Sequence, residues 1–360
     1  MRIPGLKHLK QSARWLRSRL TKGALILGYH RIVETSQDPY RISVTPQHFA
    51  EQLKILRQYA HPMPLMDLVQ ALQDGNLPPR AVAITIDDGY ADNLYKAKPL
   101  LEHYQVPATI FVTTGFMGRE FWWDELERIF LSTRLLPDRL YLPLGSHIYE
   151  WLLNAADREL PFTWMECLEY KVNAAPQGFA ADGDASTIQE KEEHSSRQQL
   201  LLRLHKLLLS WSHAERQKAM LRLWNWAGAK SSEGPIHRAL THDELIELTG
   251  GGLIDVGAHT MTHPTLSELS VTAQRLEIQQ SKAYLEALLR RPVTSLSYPN
   301  GSLSEDTLAI VQDSGFTCAC ASYNDVARRG NNPLHLPRFW IPNWDGMTFS
   351  RWLQRWLVSN

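Results

Sequence analysis

Residues 81–89, AVAITIDDG, constrain the fold of this chain more than any other stretch. The run from Val82 to Ile86 is mostly apolar and β-rich, as expected of a strand buried on both faces. It ends abruptly in two adjacent carboxylates, Asp87 and Asp88, and a glycine, Gly89. A strand that is apolar until its last residues and acidic at its tip suits an α/β architecture. Such a strand stays in the core while its C-terminal end reaches a crevice. Along a regular strand Asp87 and Asp88 point to opposite faces. With Gly89 free to take φ > 0, both carboxylates can turn into one pocket. Two like charges held that close repel, so the pair calls for a cation or a shared proton. The plain alternative is a solvated Asp-Gly turn.

A second cluster lies far downstream at residues 257–264, GAHTMTHP. Here too an apolar run, Leu253-Ile254-Asp255-Val256, leads to polar residues able to bind a metal. His259 and His263 would share one face of a helix. A zinc-peptidase helix, however, needs Glu directly after the first histidine, and this chain has Thr260. Pro264 also biases His263 away from helical geometry. The segment therefore reads as a strand end followed by a loop on which two imidazoles converge. Two His and one carboxylate that leave a position open form a catalytic divalent-metal set. Loop histidines alone are as often structural; the combination with Asp87 and Asp88 carries the weight.

TIDDG, HTMTH and SYPNG (residues 297–301) resemble the successive motifs of polysaccharide deacetylases of the NodB-homology type, carbohydrate esterase family 4. The resemblance covers residues 25–115 and 241–342. It implies an α/β fold, a deformed (β/α) barrel, and hydrolysis of an acetamide on an amino sugar of a polysaccharide or lipid-linked glycan, releasing acetate. One divalent ion is implied, with zinc expected. Carried over position by position, Asp87 is the general base, and Asp88, His259 and His263 are the metal ligands.

The general acid follows from a second resemblance. Residues 24–30, ALILGYH, form another apolar run ending in a histidine. One branch of the family carries a Tyr-His near its N-terminus in a circularly permuted arrangement, and Tyr29-His30 resembles it. This implies His30 as the acid. The C-terminal Leu-x-His used by many relatives has no good copy, because Leu334-His335-Leu336 has the wrong spacing and leads into Pro337-Arg338. Most relatives also place an arginine two residues before the motif proline, where it pairs with the base. That position is Ser297 here, and Arg338 is the candidate replacement; otherwise it is a surface arginine. Tyr298 and Asn300 flank the motif proline on the substrate side, with the Asn300 N–H as an oxyanion donor.

Between the motifs the chain alternates strand and helix signals. Thr45-Pro46 caps a helix running through Phe49, Leu53 and Leu56. Residues 92–104 read as a helix and 108–112, ATIFV, as a buried strand. Beyond the second motif, helices over 271–291 and 304–315 and a short strand over 317–322 follow, and LPRFWIP at 336–342 closes the barrel. Such units make a parallel β/α architecture. The 360 residues leave room for one large barrel plus an insertion. The expected division is a basic helix over 1–22, a barrel from 23–117 and 241–345, a mainly helical insertion over 118–240, and a C-terminal helix over 346–360. In the insertion, residues 177–198 are polar and read as mobile. Residues 197–226 show one long amphipathic pattern through Leu201, Leu204, Leu208 and Trp211. Trp122 and Trp123 either line a sugar subsite, Trp123 above all, or pack in the core. The insertion shapes substrate access or only stabilises.

Lys+Arg and Asp+Glu both number 38, so net charge is zero and argues against a nucleic-acid partner. Of the three cysteines, Cys318 and Cys320 share a strand face and are too far apart for an easy disulfide, as in a reducing compartment. Residues 1–22 show no apolar stretch long enough for a signal peptide or a membrane span. Leu6, Leu9, Ala13, Leu16 and Leu20 form a stripe opposite Lys7, Lys10, Arg14, Arg17 and Lys22. That basic amphipathic helix either packs on its own domain or lies on an anionic membrane. The expectation is a cytoplasmic protein, peripheral at the inner membrane face through residues 1–20 in the second case. Two other function classes stay open: hydrolysis of a different C–N amide or an O-acetyl ester on the same site, and a catalytically silent carbohydrate-binding barrel.

Overall fold

The structure, a computed structural model, describes residues 23–144, 147–153, 155–159, 196–228 and 237–357. The basic stretch 1–22 and residues 177–195 of the polar run lie outside these. The chain divides into two compact units: Met1–Phe121 with Glu233–Asn360, and Trp122–Ser232. No helix among the described residues is long and apolar enough to cross a membrane.

The first unit is built on a nine-stranded sheet among the described residues. Its strands are β1 (Gly23–Tyr29), β2 (His61–Pro62), β3 (Ala81–Ile86), β4 (Ala108–Val112), β5 (Ile254–Ala258), β6 (Ser295–Ser297), β7 (Cys318–Cys320), β8 (Ala327–Arg328) and β9 (Phe339–Trp340). Their order is β7-β6-β5-β4-β3-β1-β8, with β2 on β3 and β9 on β1. All pairings are parallel except β1 with β8. The sheet curls until one short stretch reaches both of its sides. Phe339 and Trp340 pair with Leu27 and Gly28 of β1. Just upstream, the Leu336 N–H donates to the Ala319 carbonyl at 2.9 Å, and the Ala321 N–H donates to the Leu336 carbonyl at 2.8 Å. Residues 336–340 thus close the barrel where the sequence places the closure.

Because these strands are buried on both faces, alternate side chains serve different cores. Leu25, Leu27 and Tyr29 of β1 pack with Val82, Ile84, Ile86, Ile110 and Val112 toward the surrounding helices. Ala24 and Ile26 instead meet Ala81, Ala83, Phe111, Cys318, Cys320 and Leu336 around the barrel interior, along with Leu65, Leu68 and Leu72. The helices are α1 (Pro46–Tyr59), α2 (Leu65–Asp74), α3 (Lys98–Tyr104), α4 (His242–Leu248), α5 (Val271–Leu289), α6 (Glu305–Asp313) and α7 (Gly346–Leu357). The Thr45 hydroxyl accepts the His48 N–H at 3.2 Å and starts α1. The helix expected over 92–104 opens instead as a π-helical turn, Asn93–Ala97. Pro99, in the first turn of α3, has no N–H to continue the α ladder backward. Phe349, Leu353 and Leu357 of α7 join the outer core, so the C-terminal helix is part of this unit.

The second unit is mainly helical among its described residues and adds a hairpin that the sequence reading did not place. Besides helices Trp122–Ser132, Ser196–Leu209 and His213–Ala227, it contains an antiparallel hairpin, Arg139–Leu144 with His147–Leu152. Leu140 and Leu142 alternate inward on that hairpin. The long pattern over 197–226 is two helices, because Ser212 caps a new one through a reciprocal capping box with Glu215. Arg197, at the end of the polar run, is buried and donates to the carbonyls of Phe130, Thr133, Arg134, Asp157 and Arg158. It supplies donors to the otherwise unpaired end of helix Trp122–Ser132.

The interior tolerates little added volume. A Cβ at Gly257 would lie 2.5 Å from both the Phe111 ring and the Ser295 hydroxyl. Gly257→Ala should therefore destabilise the barrel by about 1–3 kcal/mol, read from urea midpoints at unchanged m-value.

Candidate active site

The parity that fills the barrel interior also aims the first carboxylate. On β3 and its continuation, Ala83, Thr85 and Asp87 follow one another on the inward face. Asp87 is 1 % exposed. Its Oδ1 accepts from Arg338 Nη1 at 2.7 Å, and its Oδ2 from Arg338 Nη2 at 2.9 Å and the Ser297 hydroxyl at 2.8 Å. Arg338 is itself fully buried and also donates to Thr85 Oγ1, the Ala321 carbonyl and Ser297 Oγ. Burial alone would raise the Asp87 pKa. Arg338, followed by His259, overrides it and holds the carboxyl well below the usual range. Asp87 is therefore ionised at neutral pH.

Asp88 reaches a different neighbourhood because the chain turns at Asp88 itself. Its φ is 72°, followed by 79° at Gly89. Asp88 Oδ1 lies 3.5 Å from His259 Nε2 and 3.6 Å from His263 Nε2. One ligand atom from each of Asp88, His259 and His263 falls within 4.8 Å of the others. His259 Nδ1 sits 2.8 Å from the Ser297 carbonyl, so Nδ1 carries the proton and Nε2 faces the cluster. Burial lowers the His259 pKa, with Asp87 opposing, and keeps the imidazole neutral as a metal ligand must be. One carboxylate oxygen and two imidazole nitrogens, held this close, fit a divalent ion of the zinc type.

His30, directly beyond β1, is half-buried and stacks on Trp340, ring centroids 4.4 Å apart at 18°. Its carbonyl accepts the Asn93 side-chain amide at 3.0 Å. Burial pushes its pKa down to about 4 against the pull of Asp87. The resting imidazole is therefore neutral at pH 7.

Tyr298 departs from the sequence reading, and Trp123 takes the second of its two alternatives. Tyr298 does not face substrate: it is fully buried in the outer core and its hydroxyl donates to the Leu334 carbonyl at 2.8 Å. Trp123 is 5 % exposed and edge-on to Trp122, so it is a core residue of the second unit, not an open platform for a sugar. Asn300 is exposed in the tight turn Pro299–Gly301, with φ 55°. Sequence reasoning missed Thr85 and Ser297 as partners of the Asp87–Arg338 pair; strand parity from Asp87 points back to Thr85. It also missed the frame behind His30. Arg31 Nε donates to Asp92 at 3.3 Å, and Asp92 Oδ1 accepts from the Ile32 N–H and the Asn93 amide, each at 3.0 Å.

Fold and site together define a curled α/β barrel with an Asp-His-His cluster at the C-terminal ends of its strands. A family profile for polysaccharide deacetylases matches residues 74–132 and 216–319, as the resemblance of the three motifs implies. A Staphylococcus aureus protein named poly-beta-1,6-N-acetyl-D-glucosamine N-deacetylase is 31% identical over 110 residues, which cover 27% of this chain and 38% of the relative. The chain thus spans well under half the length of the curated relative it matches. Among solved structures, a Streptococcus pyogenes deacetylase in complex with acetate, PplD, superposes with a TM-score of 0.54 at 18% identity, covering 92% of this chain and 98% of the other. IcaB from Ammonifex degensii gives 0.55 at 18% identity, covering 92% and 97%. At that identity these two likenesses bear on the fold.

Removing Arg338 would strand a buried carboxylate. Arg338→Met should cost about 3–5 kcal/mol at pH 7 in denaturant unfolding. In the native protein the contribution of Asp87 is present above its unfolded pKa of about 3.9 and is lost as pH falls through the lower folded value. In the variant burial raises that carboxyl, so the deficit against wild type should shrink toward acid pH.

Proposed function

We propose that this chain is a metal-dependent carbohydrate N-deacetylase that hydrolyses the acetamide of an N-acetylated amino sugar to acetate and a free amine. The observation that carries the reading is the adjacency of two differently held carboxylates. Asp87 is locked ionised by Arg338, and Asp88 is turned toward His259 and His263. The name of the Staphylococcus aureus relative supports a polymer of N-acetylglucosamine as the first substrate to offer.

A divalent ion held by Asp88, His259 and His263 would polarise the acetyl carbonyl and bring the pKa of the attacking water from about 15.7 toward about 7. Asp87 accepts the water's proton as the oxygen bonds to the acetyl carbon. Arg338 and Ser297 fix both oxygens of that carboxylate, so the base does not swing during the transfer. The Asn300 N–H is the proposed protein donor to the oxyanion. His30 delivers a proton to the nitrogen as the C–N bond breaks, since an amine anion is a poor leaving group. Being neutral at rest, His30 takes the proton it delivers from solvent once negative charge has developed beside it, and Asp87 returns the water's proton to solvent as acetate leaves.

Acetate release should be detected from N-acetylglucosamine oligomers and exceed that from acetylated xylan; turnover of the ester alone would replace an amidase by an esterase. Asp87→Asn should keep the bound metal while activity drops by about two to four orders of magnitude, and His30→Ala should behave likewise. His263→Ala should lose most of the metal. Normal metal content and turnover in that last variant would overturn the ligand assignment.

A further inference from the structure

The stretch between the two histidines is held in a conformation its residues do not favour. Thr260 has φ 62° and His263 has φ 53°. Both lie in the left-handed region, unfavourable for any residue with a Cβ and most of all for a β-branched one. Something outside the loop must therefore hold it there.

The loop is held from two sides. Glu277, on α5, places Oε2 at 2.9 Å from the Met261 N–H and 2.8 Å from the Thr262 N–H, and its Oε1 accepts the Thr262 hydroxyl at 2.6 Å. Consecutive backbone amides turned onto one anion make a nest, and bonds to an ionised acceptor are stronger than neutral ones. From the other side, the Thr114 N–H donates to the Thr260 carbonyl at 3.1 Å and the Gly115 N–H to the Met261 carbonyl at 2.7 Å. A Cβ on Gly115 would lie 2.4 Å from that carbonyl oxygen. His259 needs no such help. It directly follows β5, its N–H donates to the Val112 carbonyl at 3.0 Å, and its ring is fixed by the Ser297 carbonyl. His263, at the far end of the loop, depends on the loop's shape to bring Nε2 within 3.6 Å of Asp88.

The geometry points to Glu277 as a positioning residue for the metal: it presets the 260–263 loop so that His263 meets Asp88 and His259 without reorganisation, and so sets metal affinity. This rests on the proposed ligand role of Asp88, His259 and His263. Glu277 touches none of the reacting atoms, so its loss should weaken metal binding and spare the chemistry of the loaded site.

The test is a zinc competition titration against a chromogenic chelator on full-length wild type, Glu277→Gln, Thr262→Ala and His263→Ala. The glutamine keeps the shape but replaces one acceptor oxygen by an NH2 group facing a donor. Its zinc Kd should rise about 10–100-fold, the range for partners of metal ligands. Turnover at saturating zinc should return close to wild type. Thr262→Ala, which deletes the hydroxyl bond alone, should show a smaller rise of the same sign, and it carries the test if Glu277→Gln does not fold. A zinc Kd in Glu277→Gln within about twofold of wild type, while His263→Ala binds far more weakly, overturns the positioning role and leaves the ligand set standing. A wild-type protein that binds no zinc, or a His263→Ala variant that binds it equally well, removes the ligand reading instead.

Discussion

The contact on which the rest of the barrel depends is the two-point ion pair between Asp87 and Arg338, partners 251 residues apart in sequence. Neither side chain has access to water, so each needs the other: a buried pair gains little against an apolar core, but a single stranded charge is very costly. The pair can form only when the stretch carrying Arg338 lies between β7 and β1. It therefore disfavours any open or shifted arrangement of that last segment. Local sterics agree with it. A Cβ at Gly28 would come within 2.7 Å of the Trp340 ring, so the closing strand fits only against a bare backbone. Register, closure and the ionisation of Asp87 thus follow from one constraint.

That constraint shapes the interior composition. Ala83, Thr85, Ser297, Cys318 and Cys320 are small, and they leave the volume a guanidinium needs. The hydroxyls of Thr85 and Ser297 complete its hydrogen bonding. The thiol of Cys318, pushed up by its hydrogen bond to Cys320 and by burial, stays neutral. It does not compete with Asp87 for the cation. One end of the interior is apolar and includes Leu65, Leu68 and Leu72 of α2. Polarity is confined to the C-terminal ends of the strands, where chemistry needs it.

Much of this was legible because burial on both faces writes itself as an apolar run, and a polar residue ending such a run marks a strand tip. Asp87, Asp88, His30 and His259 were all found that way, and the structure brings them to one end of the barrel. The closing role of residues 336–342 was legible for the same reason. Tyr298 was misread because the strand before it, Ser295–Ser297, is short, and nothing local says that its ring turns into the helix-side core. Trp123 was left open in the sequence because an aromatic residue shows the same letters on a sugar platform and in a core. The hairpin was hidden by its position among stronger helical patterns. The turn was assigned to Gly89 alone, since a left-handed Asp88 is a cost that only tertiary contacts can offset. Glu277 left no trace, being one acidic residue among several on a helix.

Eight non-glycine residues among those described have positive φ, and four of them, Asp88, Thr260, His263 and Asn300, lie on the loops just past β3, β5 and β6. At roughly 1–2 kcal/mol each for the left-handed region, somewhat less for Asp and Asn, this is strain of the order of the whole stability margin of a domain. Its location has a reason. A relaxed strand end sends successive side chains to opposite faces, which would keep Asp88 away from the histidines and His263 away from Asp88. Left-handed residues reverse that parity within a single step, and they do so next to strands whose ladders cannot yield. The strain is therefore the physical means by which neighbouring residues of one strand tip serve two neighbourhoods. Asp87 goes to the cation inside the barrel, and Asp88 goes to the imidazoles at its mouth.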